Sequence, residues 1–164
     1  MSVRLRPMTD EELSAWIPTG LDRFIAELVA YTGEPEEVIR QRSAPQFAEY
    51  FPDGRPAPRH ELFVIEAAGV RVGTLWVGPH PIRPHTPEDA WLYNISIDEH
   101  ARRRGHAREA LRLAETQLSG RGVTTLWFNV FASNSAARAL YRVSGYDEIS
   151  VTMAKGLASP GAGR

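Results

Sequence analysis

The sequence predicts an α/β domain, a mixed α+β arrangement on one central and mostly antiparallel sheet. Three observations predict it. Short apolar alternations mark strands near the start, in the middle and near the end of the chain. Helical stripes of apolar residues separate them. One strand–helix–strand segment, Trp91 to Val130, is long enough to be a right-handed parallel crossover.

The elements follow in order. Val3 to Arg6 alternates and reads as a strand. Thr9 is placed to cap a helix whose first turn is acidic, with Asp10, Glu11 and Glu12. Pro18 is expected to break that helix. A second helix, Leu21 to Tyr31, puts Phe24, Ile25, Leu28 and Val29 on one stripe before Gly33 ends it. Glu34-Pro35-Glu36-Glu37 starts a third, running to Tyr50. Pro52 to Pro58 is a loop. Glu61 to Ala67 and Val70 to Val77 flank Ala68-Gly69 as a hairpin. Gly78 to Asp89 carries four prolines and two histidines and reads as a long loop.

Trp91 to Ile97 is the next strand, with a short turn from Asp98 to Ala101. Ala107, Ala110, Leu111, Ala114 and Leu118 make one helical face, which Gly120 and Gly122 end. Val123 to Val130 is a further strand. Ser133 or Asn134 caps a helix that Gly145 ends, and Tyr146 to Met153 alternates as a closing strand. Residues 1–155 are expected to form a single domain, and 156–164 a disordered tail.

The 164 residues suffice for a real core, and the formal net charge of −1 gives no chain-wide attraction to nucleic acid or to an acidic membrane. There is no cysteine, which removes disulfides, thiolate zinc and a cysteine nucleophile. No apolar run approaches the roughly 20 residues of a membrane span. Ser2 to Pro7 holds no apolar signal core, so a cytoplasmic address is expected. His80 and His85 are spaced without metal logic, and no metal is expected.

Two constellations carry chemistry. The first is Arg102-Arg103-Arg104-Gly105-His106-Ala107-Arg108, between a strand and a helix. The first amides of a helix lack internal partners and sit at the positive end of its dipole, so they suit a phosphate. Read alone, the same turn is equally a solvated basic helix start. The pattern is not a Walker loop, and it lacks two glycines of a dinucleotide fingerprint. The second is Asn134 to Tyr141, followed by Gly145-Tyr146. Asn134 and Tyr141 are seven residues apart, which puts them on one helix face. Read separately, Asn134 is a cap and Tyr141 a core aromatic.

The two patterns together, in this order, resemble the GCN5-related N-acetyltransferase (GNAT) superfamily over nearly the whole chain. Its Arg/Gln-x-x-Gly-x-Gly/Ala turn is matched by Arg102, Gly105 and Ala107, with Arg103 where a glycine is common. Its Asn-x-x-Ala-x-x-x-Tyr helix is matched by Asn134, Ala137 and Tyr141. The resemblance implies acetyl-CoA as co-substrate, with its pyrophosphate on the segment Arg102, Arg103, Arg104, Gly105, His106, Ala107 and Arg108. It implies that the preceding strand splays from its parallel neighbour, so that Ile95, Ser96 and Ile97 offer backbone groups to the pantetheine amides. Asn134 would bond the pantetheine arm, with Ala137 beside it, and Tyr141 would protonate the leaving thiolate. The implied acceptor is a small-molecule or protein amine, and homodimers are common in the superfamily.

Some members carry a glutamate base on the strand before the turn. Opposite the Ile95/Ile97 face this chain has Leu92, Asn94 and Ser96, none of them acidic. Glu49, Glu61, Glu88 and Asp89 are substitute candidates, and Asn129 could orient a water. The alternatives to an acetyltransferase are a non-catalytic acyl-CoA-binding module and a transferase using another acyl donor.

Overall fold

Thr9 begins the first helix in the way its sequence predicts. In a computed structural model, which describes residues 2–157, the strand β1 (Val3–Pro7) leads into the helix α1 (Asp10–Thr32). The Thr9 hydroxyl accepts from the Glu12 amide at 3.2 Å, and the Glu12 carboxylate accepts from the Thr9 amide at 2.9 Å. This reciprocal box satisfies two amides that the helix itself leaves open.

α1 does not stop at Pro18, contrary to expectation, and the two helices read from the sequence are one. Pro18 leaves the Ser14 carbonyl without its usual amide donor. Burial of Leu13 and Trp16 before it and Ile25 after it offsets that loss. Gly20, which looks like part of a turn, serves a different end. A Cβ there would lie 2.7 Å from the Trp16 ring, so the glycine seats the indole against its own helix. Gly33, at φ 72°, closes α1, and α2 (Glu36–Tyr50) follows with Ile39, Ser43 and Phe47 buried along one stripe.

The strands β2 (Glu61–Ala67), β3 (Val70–Pro79), β4 (Asp89–Ile97) and β5 (Thr125–Trp127) complete a sheet of order β1-β2-β3-β4-β5. All neighbours are antiparallel except β4 and β5, which are parallel. Ala68 and Gly69 both take positive φ, 51° and 80°, as a two-residue hairpin turn requires. α3 (His106–Ser119) buries Ala110, Leu111, Ala114 and Leu118, and it packs on β1, β2 and β4. The other face carries Leu13, Trp16, Phe47 and Phe51 from the α1/α2 side against Leu62 and Trp76 of the sheet.

Two expected strands differ. Val123 to Val130 contracts to the three residues of β5. Tyr146 to Met153 forms no strand, and Ile149, Val151 and Met153 are exposed. Alternation fixes a strand only where an edge takes its hydrogen bonds and a core takes its apolar face, and this segment pairs with no strand among the described residues. The described residues form two compact units, one ending at Phe131 and one beginning at Ala132. The second holds α4 (Ser135–Val143). Of the expected tail, Gly156 and Leu157 have no regular structure, and 158–164 lie outside the described residues.

Candidate functional site

β4 changes character halfway along. Its first three residues pair on both sides, with β3 and, through Asp89↔Thr125, Ala90↔Leu126 and Trp91↔Trp127, with β5. From Leu92 onward no strand lies on the β5 side among the described residues. The ladder with β3 continues to Gly73↔Ile97. The Asp98 amide donates to the Val72 carbonyl at 2.8 Å, so alternate residues Ile97 and Ile95 turn their N–H and C=O to the open edge. Arg102 Nε confirms this direction by donating to the Ile97 carbonyl at 3.0 Å.

A bulge marks the change. Leu92 pairs with Val77 and Asn94 with Trp76, so Tyr93 is the extra residue. Simple alternation would put Leu92 on the Asn94 face. Instead Leu92 shares the face of Val77, and Tyr93 stacks on Trp76 with centroids 4.4 Å apart and planes at 17°. The α1/α2 face of β4 therefore presents Tyr93, Asn94 and Ser96.

The basic turn follows directly. Glu99–Ala101 forms a single 3-10 turn, and Ala101 is buried. Arg103 takes φ 59° and Gly105 φ 81°. The left-handed Arg103 explains why a glycine suits that place, since a Cβ costs free energy there. Gly105 is the N-cap of α3, and no side-chain cap bond is made there. The Gly105 carbonyl takes the first intrahelical bond, from the Glu109 amide at 3.1 Å. The amides of His106, Ala107 and Arg108 precede it in the first turn. The His106 imidazole is buried, so what it offers at the turn is its backbone amide. The outward backbone groups of Ile95 and Ile97 are thus tied to the turn before α3 by the Arg102–Ile97 hydrogen bond, while the Ser96 backbone faces β3.

In the second unit, Asn134 caps α4, with its Oδ1 accepting from the Ala137 amide at 3.1 Å. Gly145, at φ 88°, ends the helix. The Tyr146 amide donates to the Tyr141 carbonyl at 3.1 Å and the Gly145 amide to the Arg142 carbonyl at 3.2 Å. The Tyr141 and Tyr146 rings meet edge to face at 5.9 Å across this closure. The Gly-Tyr that follows the Asn…Tyr pattern is therefore the lock that fixes the last turn of α4 around Tyr141.

The acetyltransferase (GNAT) family model matches residues 22–146. The chain belongs to the GNAT family. It is 31% identical to an uncharacterized N-acetyltransferase, YycN, of Bacillus subtilis (strain 168), over 96% of this chain and 100% of the relative. The crystal structure of YycN superposes with a TM-score of 0.84 at 28% identity, over 96% of this chain and 100% of that one. A shorter match, 44% identical over 64 residues, is to the ribosomal protein bS18-alanine N-acetyltransferase of Salmonella typhimurium; it covers 39% of this chain and 43% of the relative. AAC(6')-Iy, solved in complex with the bisubstrate analog CoA-S-monomethyl-acetylneamine, shares the fold at a TM-score of 0.59 and 15% identity, over 97% of this chain and 100% of that one.

Two of the acidic candidates, Asp89 and Glu61, are already paired. Asp89 accepts from Trp127 Nε1 at 2.9 Å and pairs with Arg83 at 3.0 Å. Glu61 pairs with Arg121 at 2.6 Å. Glu49, Glu88 and Asn129 are exposed. His80 Nδ1 accepts from the Ile82 and Arg83 amides, and its ring packs on Trp91 and Trp127. Among the described residues no three His, Asp or Glu groups gather as a metal site.

Three residues beside the bulge were not legible as site residues. His60 Nδ1 accepts from Trp76 Nε1 at 3.0 Å, and burial, with the Arg59 charge, holds its imidazole down to about 4. It is neutral at pH 7, and its Nδ1 lone pair is already used. Tyr93 donates to the Pro79 carbonyl at 2.9 Å, and burial beside Tyr50 pushes its phenol up. The Tyr50 and Tyr93 rings lie 5.2 Å apart. Nearby, the Arg59 guanidinium holds three carbonyls of one loop, those of Pro84, Thr86 and Pro87, and that of Asp89 at the start of β4, at 2.8–3.4 Å.

Proposed function

We propose that the protein is an acetyl-CoA-dependent N-acetyltransferase acting on a primary amine, through direct attack in a ternary complex. The observation that supports it most is the open edge of β4 running into the Arg102–Arg108 turn. An amide-bearing arm needs edge donors and acceptors, and a diphosphate needs helix-entrance amides and fixed positive charge. The Ile95 and Ile97 backbone and the first turn of α3 supply these in sequence. Bound acetyl-CoA contributes an activated thioester.

The remaining roles rest on membership of the family. Asn134 keeps its Nδ2 for the pantetheine arm, because its Oδ1 caps α4. Tyr141 is the acid. A phenol is a proton donor that can give its proton to the departing sulfur. The amine nitrogen bonds the carbonyl carbon, the C–S bond breaks, the thiolate takes a proton, and the new amide nitrogen gives one to water. An alkyl amine is only about 0.04% neutral at pH 7, so the acceptor's own ionisation weighs heavily on the rate.

Thiol release with an alanyl peptide, a polyamine and an aminoglycoside as acceptors tests this reading. Tyr141→Phe is expected to lower kcat by about 10²-fold or more while leaving acetyl-CoA affinity unchanged. Unchanged turnover removes Tyr141 from the mechanism. A second reading, a non-catalytic acyl-CoA-binding module, is favoured by one observation: the open half of β4, Leu92 to Ile97, carries no carboxylate. Calorimetric binding of acetyl-CoA without turnover of any acceptor would support it. Faster turnover with a longer acyl-CoA would instead identify a different donor.

A further inference from the structure

The Asn94 side chain is held in an unusual state. The bulge turns Tyr93 and Asn94 to the same face of β4, toward α1 and α2, at the point where the strand loses its second neighbour. The Asn94 Oδ1 is buried and has no hydrogen-bond partner. A buried carbonyl oxygen without a donor destabilises the fold that contains it, and native structures hold few such groups. Rotating the amide about its Cβ–Cγ bond costs Oδ1 no hydrogen bond and brings the oxygen round to where the amide nitrogen points.

The neighbours narrow what this oxygen receives. Tyr93 donates to the Pro79 carbonyl and also meets the Tyr50 phenol, so it is an uncharged group with its proton already given. His60 is neutral with Nδ1 occupied by Trp76. Asp89, the buried carboxylate earlier on the same strand, is paired with Arg83 and Trp127. Neutral rings and a carboxylate that is already paired suit a neutral N–H donor better than an ammonium ion, which needs a counter-charge when it loses water.

We propose that Asn94 binds the acceptor amine, taking one of its N–H groups on Oδ1 and selecting the uncharged form. This rests on the acetyltransferase reading above. An amide oxygen orients an amine lone pair but does not take a proton from it, so deprotonation precedes binding.

The test loads the protein with coenzyme A and titrates it with the same three amines while following side-chain amide signals by 15N NMR. At least one amine is expected to shift the Asn94 pair, and its affinity should tighten about tenfold per pH unit below the amine's pKa. Asn94→Leu is expected to weaken that amine at least tenfold, to keep coenzyme A affinity within twofold, and to melt no lower than wild type. Asn94→Asp, which keeps the shape and adds a charge, should favour the ammonium form and flatten or reverse the pH dependence. The proposal is overturned if no amine shifts Asn94, if the leucine variant binds the amine as wild type does, or if the aspartate variant leaves the pH dependence unchanged. Parallel loss of coenzyme A affinity in the leucine variant also overturns it and assigns Asn94 to the donor. Failure of wild type to bind coenzyme A at all would bring down the acetyltransferase reading and this proposal together.

Discussion

The two halves of β4 are one strand with two occupations. From Asp89 to Trp91 it is an interior strand, paired on both sides, with its polar side chain bonded to Trp127 and Arg83. From Leu92 to Ile97 it is held by β3 alone, and its outward backbone groups at Ile95 and Ile97 face the side that β5 has left. The difference shows how little is needed to turn scaffold into binding surface. One bulge and the early end of a three-residue neighbour suffice. It also implies that the open half depends on β3 far more than the paired half does.

Two glycines of β3 put that dependence to the test. A Cβ on Gly73 would lie 2.1 Å from the Ser96 carbonyl oxygen, opposite the open half. A Cβ on Gly78 would lie 2.4 Å from the His60 ring, opposite the paired half. Gly73→Ala must move backbone, and it is expected to cost about 3 kcal/mol or more of stability and at least tenfold in acetyl-CoA affinity. Gly78→Ala displaces a side chain, and is expected to cost about 1–3 kcal/mol while leaving acetyl-CoA affinity intact. Denaturant unfolding and calorimetry on both variants measure the contrast; equal losses of acetyl-CoA affinity would erase it.

Acid should loosen the boundary between the halves. His60 packs beside Tyr93 and bonds Trp76, and its folded value of about 4 lies below the ordinary 6.5. As pH falls below 6.5 the unfolded chain takes up a proton that the folded chain refuses, so stability declines until pH reaches about 4. The full loss is about 2–3 kcal/mol. Glu12 and Glu66, whose pKa values are lowered chiefly by hydrogen bonds from Arg6, add their own losses only in the carboxylate range. Urea unfolding at several pH values should show the decline in wild type and a flatter curve in His60→Gln.

The smallest expected effect falls on the turn beyond the open half. Arg103→Gly relieves the left-handed φ of 59°, and it is expected to gain about 0.5–1 kcal/mol in stability. If acetyl-CoA affinity then falls, the Arg103 guanidinium contributes to anion binding. If it holds, the amides of α3 and the other arginines suffice.

What was legible in the sequence was local. The Arg102–Ala107 turn, the capping roles of Thr9 and Asn134, and the Gly145 closure are each decided within a few residues, and each is where the sequence puts it. What was not legible was decided by distant partners. Pro18 stays inside α1 because the helix buries core residues on both sides of it. Tyr93 leaves the alternating pattern because a bulge turns it onto the Trp76 ring. Ile149, Val151 and Met153 alternate without a sheet edge to receive them. The unsatisfied oxygen of Asn94 depends on the same bulge, so the sequence shows the amide but not its isolation.

Arg59 carries a last consequence. A loop of nine residues with three prolines, 80–88, invites the picture of a swinging flap, yet one guanidinium clasps four of the local carbonyls. A protease threads several residues of extended chain with unpaired backbone through its cleft, and a segment tied at its carbonyls does not supply them. This surface should therefore resist digestion as a folded strand does, and a single change at Arg59 would be enough to open it.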